Sequence, residues 1–333
     1  MAETAAPARP AGRISGIDWK ALLSRWGALV ALALLILFNL AFTPNFATWQ
    51  TLNVNLTQVC AIVIVGVGMT LVIATGGIDL SVGSLMAIAG ALAPLIFLGK
   101  LVPVPHLYVG VALAFVVPVL AAGAFGWFNG WLVTRFRIQP IIATLVLFIA
   151  GRGIAQVMTN GNLQVFKVPE FQFIGLGRVF GIPFQAVLMV VIVAAAAWML
   201  RRTVFGRQIL AIGGNERAAR LSGVPVAVVK RRVYLISGLL SGVAGLIVIA
   251  RNSAADANLV GLGMELDAIA AVAVGGTLLT GGRATVVGTL VGALIIQLVR
   301  YTLLANGVPD AAALVVKAAI IVLAVWLQRQ SQS

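Results

Sequence analysis

Ten long apolar runs, separated by short polar segments, fill most of this sequence. A helix needs about 20 mostly apolar residues to cross a bilayer. Only 10% of the 333 residues are charged and 61% are hydrophobic, whereas soluble domains carry about 25% charged residues. The chain is therefore predicted to be an all-α integral membrane protein with about ten transmembrane helices. The predicted spans are Trp26–Phe42, Leu56–Thr75, Val82–Leu98, Leu107–Val133, Ile138–Thr159, Phe184–Leu200, Val233–Ala250, Leu266–Leu279, Ala284–Ala305 and Ala311–Leu327.

The last three runs contain details that affect packing. The eighth run is short and ends in glycine, so an irregular helix is expected there. Gly288 and Gly292 in the ninth run have the small-xxx-small spacing that lets two helices approach closely.

The polar segments define the domain organisation. Residues 1–25 are rich in Ala and Pro and lack the apolar core of a signal peptide, so they are predicted to form a cytoplasmic N-terminal tail. Residues 26–327 are predicted to form a single transmembrane domain, with a cytoplasmic loop at 201–232, and residues 328–333 a C-terminal tail. The loop at 160–183 is expected to hold a short surface helix or a hairpin.

The basic residues predict the orientation. With ten spans and an inside N-terminus, sixteen Lys and Arg residues fall in inner segments and three in outer ones. This bias places both termini in the cytoplasm of a bacterial inner membrane, whereas an odd number of spans would put the C-terminus outside. The same distribution explains the net charge of +14 without a nucleic-acid partner.

The sequence offers little for catalysis. Cys60 is the single cysteine and His106 the single histidine, so we expect no disulfide within the chain and no metal site. The phosphate-binding pattern G-x-x-x-x-G-K-[ST] does not occur in the sequence. We therefore expect that the chain binds no cofactor and does not itself hydrolyse ATP.

Glycine pairs mark two candidate gates. Gly76 and Gly77 precede Asp79 and Ser81, and the pattern G-G-x-x-L-[ST] recurs from Gly275. Gly275 and Gly276 then match Gly76 and Gly77. Glycine-interrupted segments in two halves of a transporter point towards its substrate path. The other interpretation of the first segment is a capped turn between two spans, in which Asp79 or Ser81 caps the next helix.

Two further acids, Glu265 and Asp267, open the eighth run from the predicted outer side. One interpretation is that they complement the dipole of a helix N-terminus. The other is that they contact a binding protein or accept hydrogen bonds from sugar hydroxyls.

The cytoplasmic loop contains a Gly–helix–Gly pattern. Asn215 is positioned to cap a short helix that begins at Glu216 and ends near Gly223, and Arg217 and Arg220 lie along it. A plain solvated loop is one interpretation. A docking helix for a cytoplasmic partner is the other.

The sequence resembles the membrane permeases of ABC importers for monosaccharides, of the ribose, xylose and galactose type. Four stretches carry the resemblance: "GMTLVIATGGIDLSVGSLMAIAG" (Gly68–Gly90), "ATLVLFIAGRGIAQVMTNG" (Ala143–Gly161), "FGRQILAIGGNERAARLSGVPV" (Phe205–Val226) and "ELDAIAAVAVGGTLLTGGR" (Glu265–Arg283). Within the family, "SAADANLVGLGMELDAI" most resembles the permeases for galactofuranose.

The resemblance implies a type II-like permease fold and a set of partners. The partners are a second permease subunit, identical or homologous, ATP-binding-cassette ATPase subunits that hold ATP and Mg, and a periplasmic sugar-binding protein. It also implies that the cytoplasmic loop couples to the ATPase. The residues assigned to this coupling are Gly213, Gly214, Asn215, Glu216, Arg217, Ala218, Ala219, Arg220 and Gly223.

Two other functions are considered beside an importer subunit. A stand-alone secondary carrier or channel for a small polar solute would need no docking helix, and a proton-coupled carrier would carry a chain of acids or histidines through its spans. A membrane-embedded enzyme would need clustered nucleophiles, bases or metal ligands. The sequence shows neither feature, so the importer subunit is the favoured hypothesis.

Overall fold

The computed structural model describes residues 19–101, 103, 106–309, 311–316, 318–320 and 322. Its helices are α1 (Trp19–Phe42), α2 (Trp49–Ala74), α3 (Val82–Phe97), α4 (Leu107–Arg135), α5 (Pro140–Thr159), α6 (Pro169–Leu176), α7 (Phe184–Arg202), α8 (Val204–Gly214), α9 (Glu216–Leu221), α10 (Val226–Asn252), α11 (Met264–Val274) and α12 (Val286–Ala305), with a further apolar helix over Ala311–Ile320. The strands are β1 (Gln164–Val165), β2 (Arg178–Val179), β3 (Ile182–Pro183) and β4 (Ala254–Ala255).

The prediction of an all-α membrane protein is confirmed. Within the described residues, six helices are long and apolar enough to cross a membrane: α2, α4, α5, α7, α10 and α12. Gly27–Phe42, α3 and Ala311–Ile320 are shorter apolar helices. Ten is therefore an approximate number of spans.

The eighth predicted span, Leu266–Leu279, is wrong as a spanning helix. The helix there is α11, which has 11 residues and is about 16 Å long. It begins after Gly263 and ends at Val274, five residues before the predicted end, because the glycine pair that follows allows the chain to leave the helix.

Several predictions fall partly or wholly on residues that the structure does not describe. The N-terminal tail at 1–25 is outside it up to residue 18, and the C-terminal tail at 328–333 is outside it entirely. The tenth span, Ala311–Leu327, is described only in part.

Helix α2 lies at the centre of the bundle. Every residue from Val59 to Thr75 is buried, so this helix is apolar around its whole circumference, as expected for a helix with no lipid-facing or water-facing side. It packs against α7, α10, α11 and α12.

Helices α4 and α10 make the most extensive contact in the bundle. The contact is close because glycines face backbone atoms across it: a Cβ added at Gly126 would lie 2.4 Å from the oxygen of Tyr234, and one at Gly238 would lie 2.4 Å from the oxygen of Ala122. Glycine thus brings the two helix backbones together, as in other membrane bundles. The same effect is seen at Gly288 and Gly292 in α12, where an added Cβ would lie 2.0 Å from the oxygens of Gly275 and Ala271.

The segments predicted to face outward meet at one end of the bundle. Strand β1 pairs with β4 in antiparallel register, with Gln164 opposite Ala255. Residues 160–183 contain both α6 and a β2–β3 hairpin, which confirms the prediction of a short helix or hairpin in that loop. Which end of the bundle is cytoplasmic stays a prediction from the charge distribution.

Candidate functional site

The loop at 201–232 is almost entirely helical. Helix α8 precedes the predicted short helix, and sequence reasoning missed it because its eleven residues contain three glycines and two polar side chains. Helix α10 begins at Val226, seven residues before the predicted span at Val233. The polar segment "KRR" therefore belongs to the first turns of α10.

Helix α9 matches the prediction for the docking helix. The side chain of Asn215 accepts a hydrogen bond from the backbone nitrogen of Ala218 at 2.9 Å, as an N-cap residue does. The helix ends at Leu221, and Gly223 follows with a φ of +81°. A glycine here relieves the strain that a side chain would cause in the left-handed region.

Glu216 attaches α9 to α10. Its carboxylate accepts a hydrogen bond from Lys230 Nζ at 2.7 Å and one from Arg220 at 3.1 Å. The hydrogen bond from Lys230 is the main cause that lowers the pKa of the Glu216 carboxyl below its ordinary value, and Arg220 acts in the same direction. The start of α10 and α9 are therefore held together by charge as well as by chain connection.

The face of α9 that points away from the rest of the protein is exposed. Leu221 is 90% exposed, and Arg217, Ala218 and Arg220 are also exposed, whereas Ala219 is buried against the rest of the protein. This face of α9 therefore combines one largely exposed leucine with two exposed arginines.

Four glycines from three parts of the chain meet at the end of α2. We call Gly76, Gly213, Gly281 and Gly282 the glycine junction. The backbone nitrogen of Gly282 donates to the oxygen of Ala74 at 3.1 Å. A Cβ at Gly281 would lie 2.9 Å from the nitrogen of Gly76.

Gly213 is the tightest member of the glycine junction. A Cβ there would lie 1.8 Å from the oxygen of Ala74 and 2.3 Å from the nitrogen of Gly282. Gly213 lies in the last turn of α8, so the end of α8 contacts the end of α2 and the loop that contains Gly282.

Both glycine pairs lie at the end of a helix. The structurally equivalent residues are Gly76 and Gly276, one position away from the match of Gly76 with Gly275 in the sequence repeat. Gly76 has a φ of +77° and donates to Ile73, and Gly276 has a φ of +81° and donates to Ala273. Each is the left-handed residue that terminates its helix. The sequence repeat matched Gly76 with Gly275, which is wrong by one position because the motif was aligned on its letters rather than on the helix ends.

Asp79 is not at a solvated turn but inside the bundle. Its side chain is 0% exposed. Oδ1 accepts hydrogen bonds from the nitrogen and hydroxyl of Ser81 at 3.0 and 2.6 Å, and Oδ2 accepts one from the hydroxyl of Ser237 at 2.8 Å. Ser81 is the N-cap residue of α3 but makes no side-chain capping bond. Asp79 therefore serves to link the segment between α2 and α3 to α10, and capping is not its role.

Sequence reasoning missed two members of this network. Asn129 donates to the hydroxyl of Ser81 at 2.9 Å, which adds α4 to the link, and Ser237 adds α10. The signal was present in both cases, since each is a polar residue within an apolar stretch of its helix. Together with Asp79 and Ser81 they form what we call the Asp79 network.

Glu265 and Asp267 lie in the first turn of α11, as predicted, and are only 6% and 9% exposed. A Cβ added at Gly83 would lie 2.6 Å from Oε2 of Glu265, so this carboxylate rests on the first turn of α3. There it also complements the positive end of the α3 dipole. In this conformation neither acid is presented at the protein surface.

The preceding loop is held in place by Arg152. Its Nη1 donates to the oxygens of Ala257 and Val260 at 2.9 and 2.6 Å. The predicted gate residues are thus divided: Gly76 lies in the glycine junction, Gly275 packs against Gly288 on α12, and the two acids lie about 15 Å from Gly275 at the other end of α11.

An open cleft of about 800 Å³ lies beside α9. Its charged lining consists of Arg135, Arg137, Arg220 and Lys230, with Glu216 as the acid. Gly76 also lines it, so the cleft reaches from α9 to the end of α2. Within the described part of the chain, His, Cys, Asp and Glu side chains form no group of three or more that fits a metal ion.

Comparison with known proteins finds a permease family and individual permeases that are similar to this chain. The family model for branched-chain amino acid transport system / permease component matches residues 52–325. The chain is 43% identical to the ribose import permease protein RbsC of Escherichia coli strain K12, over 94% of this chain and 96% of that protein. It is 40% identical to the galactofuranose transporter permease protein YtfT of the same strain, over 91% and 89%.

A third relative is the L-arabinose ABC transporter permease protein AraH of Azospirillum brasilense, which is 36% identical over 96% of this chain and 90% of that protein. These relatives are permease components, which confirms the predicted resemblance and the prediction of a permease subunit rather than an enzyme. This chain is a member of the family of branched-chain amino acid transport system permease components.

Proposed function

We propose that this chain is the translocation subunit of an ATP-driven importer for a monosaccharide. The observation that carries the proposal is its similarity, over nearly the whole length, to the ribose, galactofuranose and arabinose permeases. A periplasmic binding protein delivers the sugar to the outer end of the bundle. Separate ATP-binding-cassette subunits bind ATP and Mg and drive transport, and a second permease subunit, identical or homologous, completes the importer.

The contacts around α9 support an ATPase docking site there. Leu221 is the apolar centre of the exposed face and is 90% exposed, and Arg217 beside it offers charge to an acidic partner surface. The ion pairs of Glu216 with Arg220 and Lys230 fix the helix against α10. A displacement of α9 by the ATPase is therefore transmitted to α10.

The glycine junction supports a route from the ATPase to the gate. It joins Gly213, at the end of α8, to Gly76 and Gly281 by backbone contacts. Displacement of α8 and α9 thus moves the ends of α2 and α11, where Gly76 and Gly276 provide the hinges. The Asp79 network then determines whether the start of α3 follows that movement, because it links Ser81 to α4 and α10.

The orientation and domain organisation belong to the same proposal. We propose that the α9 end lies in the cytoplasm of a bacterial inner membrane, and the excess of Lys and Arg at that end supports this orientation. Both termini are then cytoplasmic, and residues 26–327 form the transmembrane domain, with the tails at 1–25 and 328–333.

The docking face is tested with Leu221→Glu, which is expected to lower co-purification of the ATPase at least about tenfold, because a charge replaces the apolar centre of the contact. The matched control is Leu259→Glu, at the opposite end and 65% exposed, which should co-purify normally. ATP-dependent uptake of labelled ribose, arabinose and fructose by the reconstituted importer tests the activity. Uptake by this chain alone, without ATP or ATPase, would show a stand-alone carrier instead.

A further inference from the structure

Three side-chain amides meet between α2 and α12. Gln297 is 2% exposed, and its Nε2 donates to Oε1 of Gln58 at 2.6 Å and to Oδ1 of Asn55 at 3.4 Å. Asn55 is also buried, at 8% exposure. We call Asn55, Gln58 and Gln297 the amide cluster. None of these residues belongs to the glycine junction or to the Asp79 network.

Two arginines adjoin the amide cluster. Arg251, at the end of α10, donates from Nη1 to the oxygen of Thr57 at 3.1 Å, next to Gln58 on α2. Arg300 lies one helical turn after Gln297 on α12 and is exposed. Amide and guanidinium groups from three helices therefore share one region of the bundle.

Gln58 is the member of the amide cluster that is exposed at the protein surface. It is exposed and lies nine residues into α2, about 14 Å from the Trp49 end. Among the described residues, its Nε2 has no hydrogen-bond acceptor. Lipid tails offer no acceptor either, and an unmade hydrogen bond in an apolar environment costs several kcal/mol. Water or a polar solute is therefore the environment that suits this side chain.

We infer that the amide cluster, with Arg251 and Arg300, is a contact site for sugar hydroxyls on the outer part of the translocation path. The inference rests on the proposed function. An amide both donates and accepts hydrogen bonds, as a hydroxyl does, and the guanidinium groups add donors. Gln297 is held by Asn55 and Gln58 together, so its orientation is fixed before a sugar arrives. The Nε2 of Gln58 is the donor that a sugar oxygen meets.

The aqueous environment is tested by thiol accessibility in the full importer. Cys60 is the single cysteine, so Cys60→Ala gives a background free of thiols. In that background, Gln58→Cys is expected to react with a charged, water-soluble thiosulfonate. Val191→Cys is the matched control, since Val191 is 58% exposed at a similar depth in α7, and it should not react. Equal labelling of the two, or no labelling of Gln58→Cys, would overturn the inference.

Sugar contact is tested by ATP-dependent uptake of labelled ribose, arabinose and fructose into proteoliposomes. Gln58→Leu is expected to lower the maximal uptake rate roughly 3- to 10-fold, the effect of one lost hydrogen bond, and to change the preference among the sugars. Gln50→Leu, an exposed glutamine on the same helix, should behave as the unmodified protein. Each variant is also checked for assembly by gel filtration.

The outcomes separate the two proposals. If the unmodified importer takes up none of the sugars, the proposed function fails. If it transports them and Gln58→Leu keeps its rate and preference, only the inference fails. If Gln58→Leu dissociates the permease subunits, the amide cluster is a subunit contact, and the inference is again wrong.

Discussion

Gly213 and Ala74 approach each other so closely that a single methyl group at position 213 would lie 1.8 Å from the carbonyl oxygen of Ala74. The end of helix α8 therefore rests directly on the end of the central helix α2. At Gly213 the contact is made by backbone atoms alone, so no side chain can adjust to a change in the distance between α8 and α2.

Gly213→Ala is expected to uncouple ATP hydrolysis from uptake, because the methyl group forces α8 away from α2. Overpacking of this kind costs about 1–3 kcal/mol in stability. Uptake per ATP hydrolysed is the measurement, and Gly153→Ala is the control, since a Cβ at Gly153 meets nothing within 4 Å. A Gly213→Ala importer with the coupling ratio of the unmodified protein would contradict the role of the glycine junction.

Ser237→Ala is expected to impair the transport cycle more than stability. It removes the hydrogen bond from α10 to Oδ2 of Asp79 and leaves that buried oxygen without this donor, a loss of about 1–3 kcal/mol, while Ser81 still donates to Oδ1. Ser241→Ala is the matched control, because the Ser241 hydroxyl donates only to the oxygen of Ser237 on its own helix. Uptake rate and thermal midpoint are compared; equal uptake by both variants would exclude a role of this link in transport.

Asn215→Ala is expected to loosen α9. The cap bond to the nitrogen of Ala218 is lost, at a cost of about 1 kcal/mol, whereas Asn215→Ser retains a capping oxygen. Hydrogen exchange of the amides of residues 216–221 measures the effect. The prediction requires faster exchange in the alanine variant than in the serine variant; equal rates would show that the cap does not limit α9.

The attachment of α9 to α10 is expected to weaken in acid. The pKa of Glu216 is lowered in the folded protein from an ordinary value of 4.5. Its stabilising effect is therefore fully present above the unfolded pKa and is lost as the pH falls through the lower folded pKa. Because the ion pairs are partly exposed, the effect amounts to about 1 kcal/mol or less.

Hydrogen exchange of α9, corrected for the intrinsic pH dependence of exchange, checks this between about pH 3 and pH 7. Protection should fall at the acidic end. Glu216→Gln should show weak protection throughout, without the acid-dependent change. A Glu216→Gln protein that loses protection in acid as the unmodified chain does would assign the effect to another group.

The sequence predicted the helices well and their functional contacts only in part. Nine of the ten apolar runs coincide wholly or in part with a helix, and so does the described part of the tenth, because a run of about 20 apolar residues is easily recognised. Helix α8 was missed because its three glycines are typical of a loop. In the structure, the absence of a side chain at Gly213 is what allows its backbone to contact Ala74. The burial of Asp79 was missed as well, because the partners that make it possible, Asn129 and Ser237, are distant in sequence.

Helix α9 shows the opposite case. Its cap, its first acid and its terminal glycine are neighbours in the sequence, so local rules were sufficient to predict it. Its ion pair with Lys230 lies fourteen positions away and required the fold. Features set by neighbouring residues could therefore be predicted from the sequence, whereas contacts between distant segments could not.

The glycine junction has a consequence for protein engineering. Because it is built from main-chain atoms, it makes no demand on the side chains that face the solute. On the proposed function, we expect residues 204–225 to be exchangeable between permeases for different sugars, provided that the glycines of the glycine junction are kept on both sides of the contact. Chimaeras that keep these glycines should remain powered by ATP, whichever sugar their helices admit.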